Sequence, residues 1–369
     1  MSTVYLISEF YLLAACAALL IAPRRPWPLA VGAFWLAFPI AELPFLALAW
    51  STATTLAVLF TAPAGGALAT TALAASGLVT ALLTVMIAQA AHTPAAVTRA
   101  LTYAGMPSRV RIRAPWRQAI LAPIPRRGRT VARRRGLPYG PDPAHLLDTY
   151  LPAHGRAHGP VLVYLHGGSY SGGRRSREAL PLLHLLARRG WTCVSADYRL
   201  RPAAGLAAHL ADTARILAWV HAHHPEKPVF LAGSSAGAHL AALTALQRKP
   251  PVAGVVCLYG FYGRYFGDIA DDWTAPTSPL EADLADAPPF FLAHGDRDTV
   301  VPATEARRFA SAHTRASRHG AVHVALPGAQ HGFDVFRSLR FGALIEGVAE
   351  FLSQVAARDP HHHFDDRKV

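Results

Sequence analysis

The first ninety residues are organised by long apolar runs. Val4 to Ala22 carries no charge except Glu9, Trp27 to Trp50 none except Glu42, and Ala67 to Ala88 none at all. Each run is close to the ~20 residues that a helix needs to cross a bilayer. Arg24-Arg25-Pro26 separates the first pair, and Ser51 to Thr55 with Pro63-Ala64-Gly65-Gly66 separates the second. The pattern predicts an all-helical membrane region over 1–95 with three spans, about 4–22, 27–50 and 67–88. Leu56 to Phe60 is also apolar, and Pro39 and Pro44 stand where the second run could divide, so a fourth span stays open.

From about residue 126 the period changes. Short β-rich runs at 161–165, 191–195, 229–232, 254–258, 289–293 and 321–325 alternate with helical stretches near 207–223, 236–247, 303–314 and 337–356. Strands that are apolar throughout, with helices between them, predict a mostly parallel sheet covered on both faces, an α/β catalytic domain over 126–358. In such sheets sites gather at the carboxyl ends of the strands. The tail over 359–369, with His361, His362 and His363, is expected to be disordered and to hold no physiological metal.

Charge sharpens the picture. Of 369 residues, 52% are hydrophobic and 16% charged, which excludes a disordered chain. The net charge of +13 is confined to one place. Residues 1–98 sum to zero, and residues 99–135 hold eleven Arg and no acid. We read 96–125 as a basic linker beside the membrane, facing anionic lipid. Both arginine clusters fall on one side if there are three spans, which puts the amino terminus outside and the rest of the chain after residue 91 in the cytoplasm. Tyr103 and Trp116 are the aromatic residues of the basic stretch, too few to interleave it, so no nucleic-acid partner is expected. No positive charge precedes Val4, which argues against a cleaved signal peptide, and Cys16 reads as a buried thiol rather than a lipoprotein site. Glu9 and Glu42 are expected near the bilayer edges. Three scattered cysteines make neither a disulfide framework nor a thiolate metal site.

The chemistry centres on Gly233-Ser234-Ser235-Ala236-Gly237, a Gly-x-Ser-x-Gly run where a strand ends and a helix begins. Alone it is a weak signal; its placement gives it weight, because a sharp strand–turn–helix bend lifts the central hydroxyl clear of the sheet. Ser234 lacks the glycine flanks. A serine hydroxyl needs a neighbouring base, and the base needs a partner to hold its tautomer. His331, in the loop after the last strand, can reach back over the bend. Asp296 and Asp298, after the strand at 289–293, are both candidates for the acid; His294 is expected to shape their loop, and His239 to be a core histidine. His166-Gly167-Gly168 follows the strand at 161–165. We expect the Gly167, Gly168 and Ala236 amides to face a developing oxyanion.

Taken together, Leu165-His166-Gly167-Gly168, Ala196-Asp197-Tyr198-Arg199, Gly233 to Leu240, His294 to Asp298 and His331-Gly332-Phe333 resemble the α/β-hydrolase superfamily. The likeness is to its hormone-sensitive-lipase-like carboxylesterases, above all bacterial ones with amino-terminal membrane helices. That resemblance implies the α/β-hydrolase fold, Asp298 rather than Asp296 as the acid, a structural role for Asp197, and an oxyanion hole at His-Gly-Gly. It implies a serine carboxylic-ester hydrolase, an esterase or lipase with the triad Ser235, Asp298 and His331, needing no cofactor and no metal. With the apolar region, the expectation is an integral protein of the plasma membrane whose partners are an ester substrate and membrane lipids. Acyl transfer, or activity like that of prenylcysteine methylesterases or arylformamidases, would use the same residues. A catalytically silent membrane scaffold is the reading from a different class.

Overall fold

The computed structural model describes residues 2–61, 67–126, 128–247 and 251–358, and the tail at 359–369 lies outside them. Four helices come first: α1 (Ser2–Ile21), α2 (Trp27–Glu42), α3 (Pro44–Thr61) and α4 (Ala67–Ala91). Stretches at Val4–Ile21, Pro44–Thr61 and Thr70–Tyr103 are long and apolar enough to cross a membrane. Small side chains, among them Ala15, Cys16, Ala37, Ala41 and Ala47, let α1 to α4 approach closely around Leu12, Leu19, Leu83 and Met86.

One detail departs from the sequence reading. The run at 27–50 is two helices, not one span: Pro44 has no amide hydrogen to continue the ladder and starts a new helix after Leu43. At 16 residues, α2 is short for a crossing. Glu9 and Glu42, expected near the bilayer edges, both face the protein interior, Glu9 accepting from Ser51 Oγ (3.1 Å) and Glu42 lying 3.6 Å from Arg340 Nη1.

The segment expected as a linker is largely built into the core. It holds the end of α5 (Thr93–Tyr103) and all of α6 (Trp116–Leu121). Val97, Leu101, Met106 and Ile112 share one apolar cluster with the last helix, α11 (Leu339–Arg358). Arg109, Arg111, Arg113 and Arg117 remain exposed.

The rest is an eight-stranded sheet in the order β1-β2-β4-β3-β5-β6-β7-β8. Its strands are β1 (Val131–Pro138), β2 (Leu146–Pro152), β3 (Val161–Leu165), β4 (Thr192–Ala196), β5 (Val229–Ser234), β6 (Gly254–Leu258), β7 (Phe290–Gly295) and β8 (Ala321–Leu326). β3 to β8 pair in parallel, and β1 and β2 add an antiparallel edge. Helices α7 (Leu180–Arg188), α8 (Leu206–His223), α9 (Ala236–Gln247), α10 (Thr304–Ala316) and α11 cover the two faces. Every residue of β3, β4, β5, β6 and β7 is buried, as a sheet sandwiched between helices requires. β1, β2 and α7 escape the sequence pattern. The arginines of β1 read as part of a basic stretch, yet Arg133 pairs with the buried Asp148 of β2, as does Arg175.

The two parts of the chain meet at the carboxyl edge of the sheet. Arg340, fully buried, donates to the backbone carbonyls of Ala41 (2.6 Å), Met86 (3.3 Å) and Pro327 (2.9 Å). Thr299 Oγ1 donates to Ala30 O (2.9 Å) and Arg297 to Leu20 O (2.6 Å). These contacts at both ends of α2 lay it across the edge where the β5, β7 and β8 loops gather.

Candidate active site

Ser235 stands between β5 and α9 with φ at +52°, in the left-handed region that a side chain rarely adopts. The bend depends on its flanking glycines. A Cβ on Gly233 would lie 2.3 Å from Gly237 O, and one on Gly237 only 2.1 Å from Leu165 O. Only residues without a Cβ let β5 turn into α9 this tightly against β3.

His331 Nε2 lies 3.0 Å from Ser235 Oγ, and His331 Nδ1 lies 2.8 Å from Asp298 Oδ2. A carboxylate only accepts, so Nδ1 carries the hydrogen and Nε2 is left to accept the serine proton. The far oxygen of Asp298 accepts from the Val300 and Val301 amides, each at 2.8 Å. His294 Nε2 donates to Val301 O and also lies 3.1 Å from Asp298. Burial alone would push the Asp298 carboxyl up. The His331 charge and the hydrogen bonds of His294 and His331 outweigh it and hold that carboxyl well below the usual carboxylate range. A line of this kind can draw a proton from a hydroxyl and stabilise the imidazolium that results.

The rivals are occupied elsewhere. Asp296 accepts from the Gly328 amide (2.8 Å). Ser234 is buried; its hydroxyl donates to Asp334 Oδ2 (2.6 Å) and accepts from Tyr164 (2.7 Å). His239 is buried and donates to Gly263 O (3.0 Å). Asp197 pairs with Arg175, a bracing role behind the His166 loop.

One expected amide donor needs correcting. The Gly167 N–H is already taken, donating to Glu178 Oε2 at 2.6 Å. The next two peptides differ: Gly168 has φ at +116° and Ser169 at +55°, which turns the loop over Ser235. Among the described residues, no acceptor engages the Gly168, Ser169 or Ala236 amide. Gly168 and Ser169 line the same cavity as Ser235, and Ala236 follows it in the chain, so these three amides are the candidate donors in place of the Gly167 amide.

No motif in the sequence marks Glu178, which directly follows Arg174, Arg175 and Arg177. Burial, with the neighbouring Asp334 charge, pushes its carboxyl up to about 7. Asp334, raised by burial in its turn, accepts from Ser234, Tyr259 and Tyr164 directly behind Ser235.

A cavity of about 330 Å³ opens on Ser235 and His331. Its inner wall is Gly168, Ser169, Tyr259 and Gly332, and its outer wall comes from α2, through Trp27, Val31, Phe34, Trp35 and Phe38. No feature of the sequence signals that an apolar helix from the first hundred residues closes this site.

Two family profiles match the chain: BD-FAE over residues 147–254 and the Dienelactone hydrolase family over 202–343. Esterase LipC of Mycobacterium tuberculosis is 33% identical over 273 residues, covering 62% of this chain and 67% of LipC. Esterase LipQ of the same organism is 31% identical over 271 residues, covering 62% of this chain and 64% of LipQ. The fold is also that of a thermophilic esterase from Thermogutta terrifontis solved with propionate bound, at 25% identity and a TM-score of 0.51, covering 61% of this chain and 94% of the other.

Proposed function

We propose that this chain, which belongs to the α/β-hydrolase carboxylesterases, is a membrane-embedded serine ester hydrolase that works through Ser235, His331 and Asp298. The observation that carries the reading is the hydrogen-bonded line from Asp298 through His331 to Ser235, with spacings of 2.8 and 3.0 Å.

Ser235 Oγ attacks the ester carbonyl carbon while His331 Nε2 takes its proton. Asp298 holds the imidazole by Nδ1 and balances its charge. The carbonyl oxygen, now an oxyanion, is met by the Gly168, Ser169 and Ala236 amides. The tetrahedral species collapses, the C–O bond breaks, and the alcohol leaves with the proton from Nε2. Water then gives a proton to Nε2 and attacks the acyl carbon. A second collapse releases the acid and returns the proton to Ser235. Each step uses groups of this chain and water alone.

Membrane insertion is supported by the three apolar helices and by the arginines that follow them. The cytoplasmic side is favoured for the catalytic domain, because Arg24, Arg25 and the 99–135 cluster then share one face.

The test is Ser235→Ala. It should abolish hydrolysis of an activated short-chain ester, a loss of about 10⁴–10⁶ in kcat, and abolish labelling by a fluorophosphonate. Hydrolysis that survives in this variant excludes the assignment. Retention in the membrane after carbonate washing, with the catalytic domain digested only when the cytoplasmic face is exposed to protease, tests the topology.

A further inference from the structure

Helix α2 is apolar on every side, and each side meets something different. Ala30, Ala33, Ala37, Ile40 and Ala41 are buried. Val31, Phe34 and Phe38 turn toward the cavity over Ser235. Trp27, Leu29 and Trp35 are more than half exposed, at 58, 53 and 59%. Trp27 and Trp35 belong to both the cavity wall and the outer surface, so the cavity opens past them. The outer face does not end there. Phe10, Ile21, Leu46 and Trp50 on the helices to either side of α2 are exposed as well, and no charged residue interrupts α2 between Trp27 and Ala41. An apolar surface of this extent is unstable in water and ordinary in lipid, and tryptophan gathers at the lipid boundary.

The geometry points to an acyl-chain site fed sideways from the membrane: we propose that α2 is one wall of a slot that admits the long acyl chain of a membrane-resident ester between Trp27 and Trp35 and lays it along Val31, Phe34 and Phe38, with the ester carbonyl at Ser235. The substrate class is therefore esters of long-chain acids dissolved in a lipid layer, rather than small esters arriving from water. This rests on the serine hydrolase reading above. The volume of about 330 Å³ is at the lower end of ordinary ligand cavities, which suits a slender chain better than a bulky acid. Apart from Arg177 and Glu178, its lining away from the catalytic groups is mostly apolar, so an acyl chain laid along α2 replaces one apolar environment by another.

The test uses the full chain in phosphatidylcholine vesicles with p-nitrophenyl palmitate and p-nitrophenyl butyrate, and reads the ratio of their kcat/KM values. Val31→Trp fills the slot and Trp35→Glu places a charge at its lipid-side mouth. Each should lower the palmitate-to-butyrate ratio about tenfold or more. Labelling by a fluorophosphonate shows that each variant is folded with a reactive serine, and Trp35 is exposed enough that its replacement should not disturb the core. A ratio unchanged in the labelled variants overturns the inference and leaves the hydrolase standing. Wild type that turns over butyrate but not palmitate also overturns it. Hydrolysis that persists in Ser235→Ala overturns the underlying reading instead.

Discussion

The Phe34 ring meets the His331 imidazole edge-on, with centroids 5.9 Å apart and planes at 84°. Phe34 belongs to α2 and His331 to the loop after β8, so the proposed catalytic base is packed against a helix almost three hundred residues away. Tyr259 holds the imidazole by a second ring contact, at 4.5 Å. The base is thus fixed by two rings as well as by Asp298. Aromatic contacts of this kind contribute about 0.5–1.5 kcal/mol. Phe34→Ala should therefore lower kcat about two- to tenfold on a short-chain ester, measured by steady-state kinetics, with serine labelling slowed in parallel. An unchanged kcat would mean that α2 only covers the base and does not position it.

Asp298 and Asp296 are two residues apart and face different partners. Asp298→Asn keeps the shape but removes the charge and allows the wrong tautomer of His331, so kcat should fall about 10³–10⁴-fold. Asp296→Asn loses only a carboxylate bonded to the Gly328 amide, and kcat should stay within its order of magnitude. Equal losses in the two variants would refute the assignment of the acid.

The pH dependence of stability should carry the mark of Glu178. Its folded carboxyl sits at about 7, above the ordinary carboxylate value of about 4.3. The folded chain therefore favours the neutral form. Its contribution is complete below the ordinary value, declines as pH rises toward 7, and levels off above that. Glu178→Gln keeps an acceptor for the Gly167 amide and removes the charge. The gain in thermal midpoint over wild type should be larger at pH 8 than at pH 5, as read by calorimetry in detergent. A gain that is equal at both would show that Glu178 is ionised in the fold at both values.

Arg340 joins the helical region to the sheet through three backbone carbonyls and lies beside Glu42. Arg340→Ala leaves those carbonyls and a buried carboxyl without their cation. Breaking such a contact costs about 3–5 kcal/mol. Thermal unfolding should begin earlier, and protease should cut between α4 and β1 where the wild type resists. A variant as stable as wild type would mean that the two parts of the chain hold together without this residue.

What the sequence determined by itself was local. Uniform apolar runs identify β3 to β7, since strands buried on both faces need no alternation, while β8 at the sheet edge alternates; the helical stretches between the strands identify α8 to α11. The glycines around Ser235 mark the bend because the backbone there has no room for a Cβ. The loops at the carboxyl ends of the strands offer Ser235, His331 and two acids, Asp296 and Asp298, and the family resemblance is what points to Asp298. Tertiary structure decided the rest. β1 and α7 stayed hidden because charge dominates their pattern or their surroundings, and only the pairing of Arg133 and Arg175 with Asp148 shows where that charge is neutralised. Gly167 looked like a free amide until Glu178, eleven residues on, folded back to accept from it. The place of α2 was least legible of all. A helix that is apolar on every side carries no signal of which neighbour each side will meet. Packing alone gave one side to α1, one to the cavity above Ser235 and one to the outside, because those choices depend on contacts across hundreds of residues rather than on the spacing within sixteen.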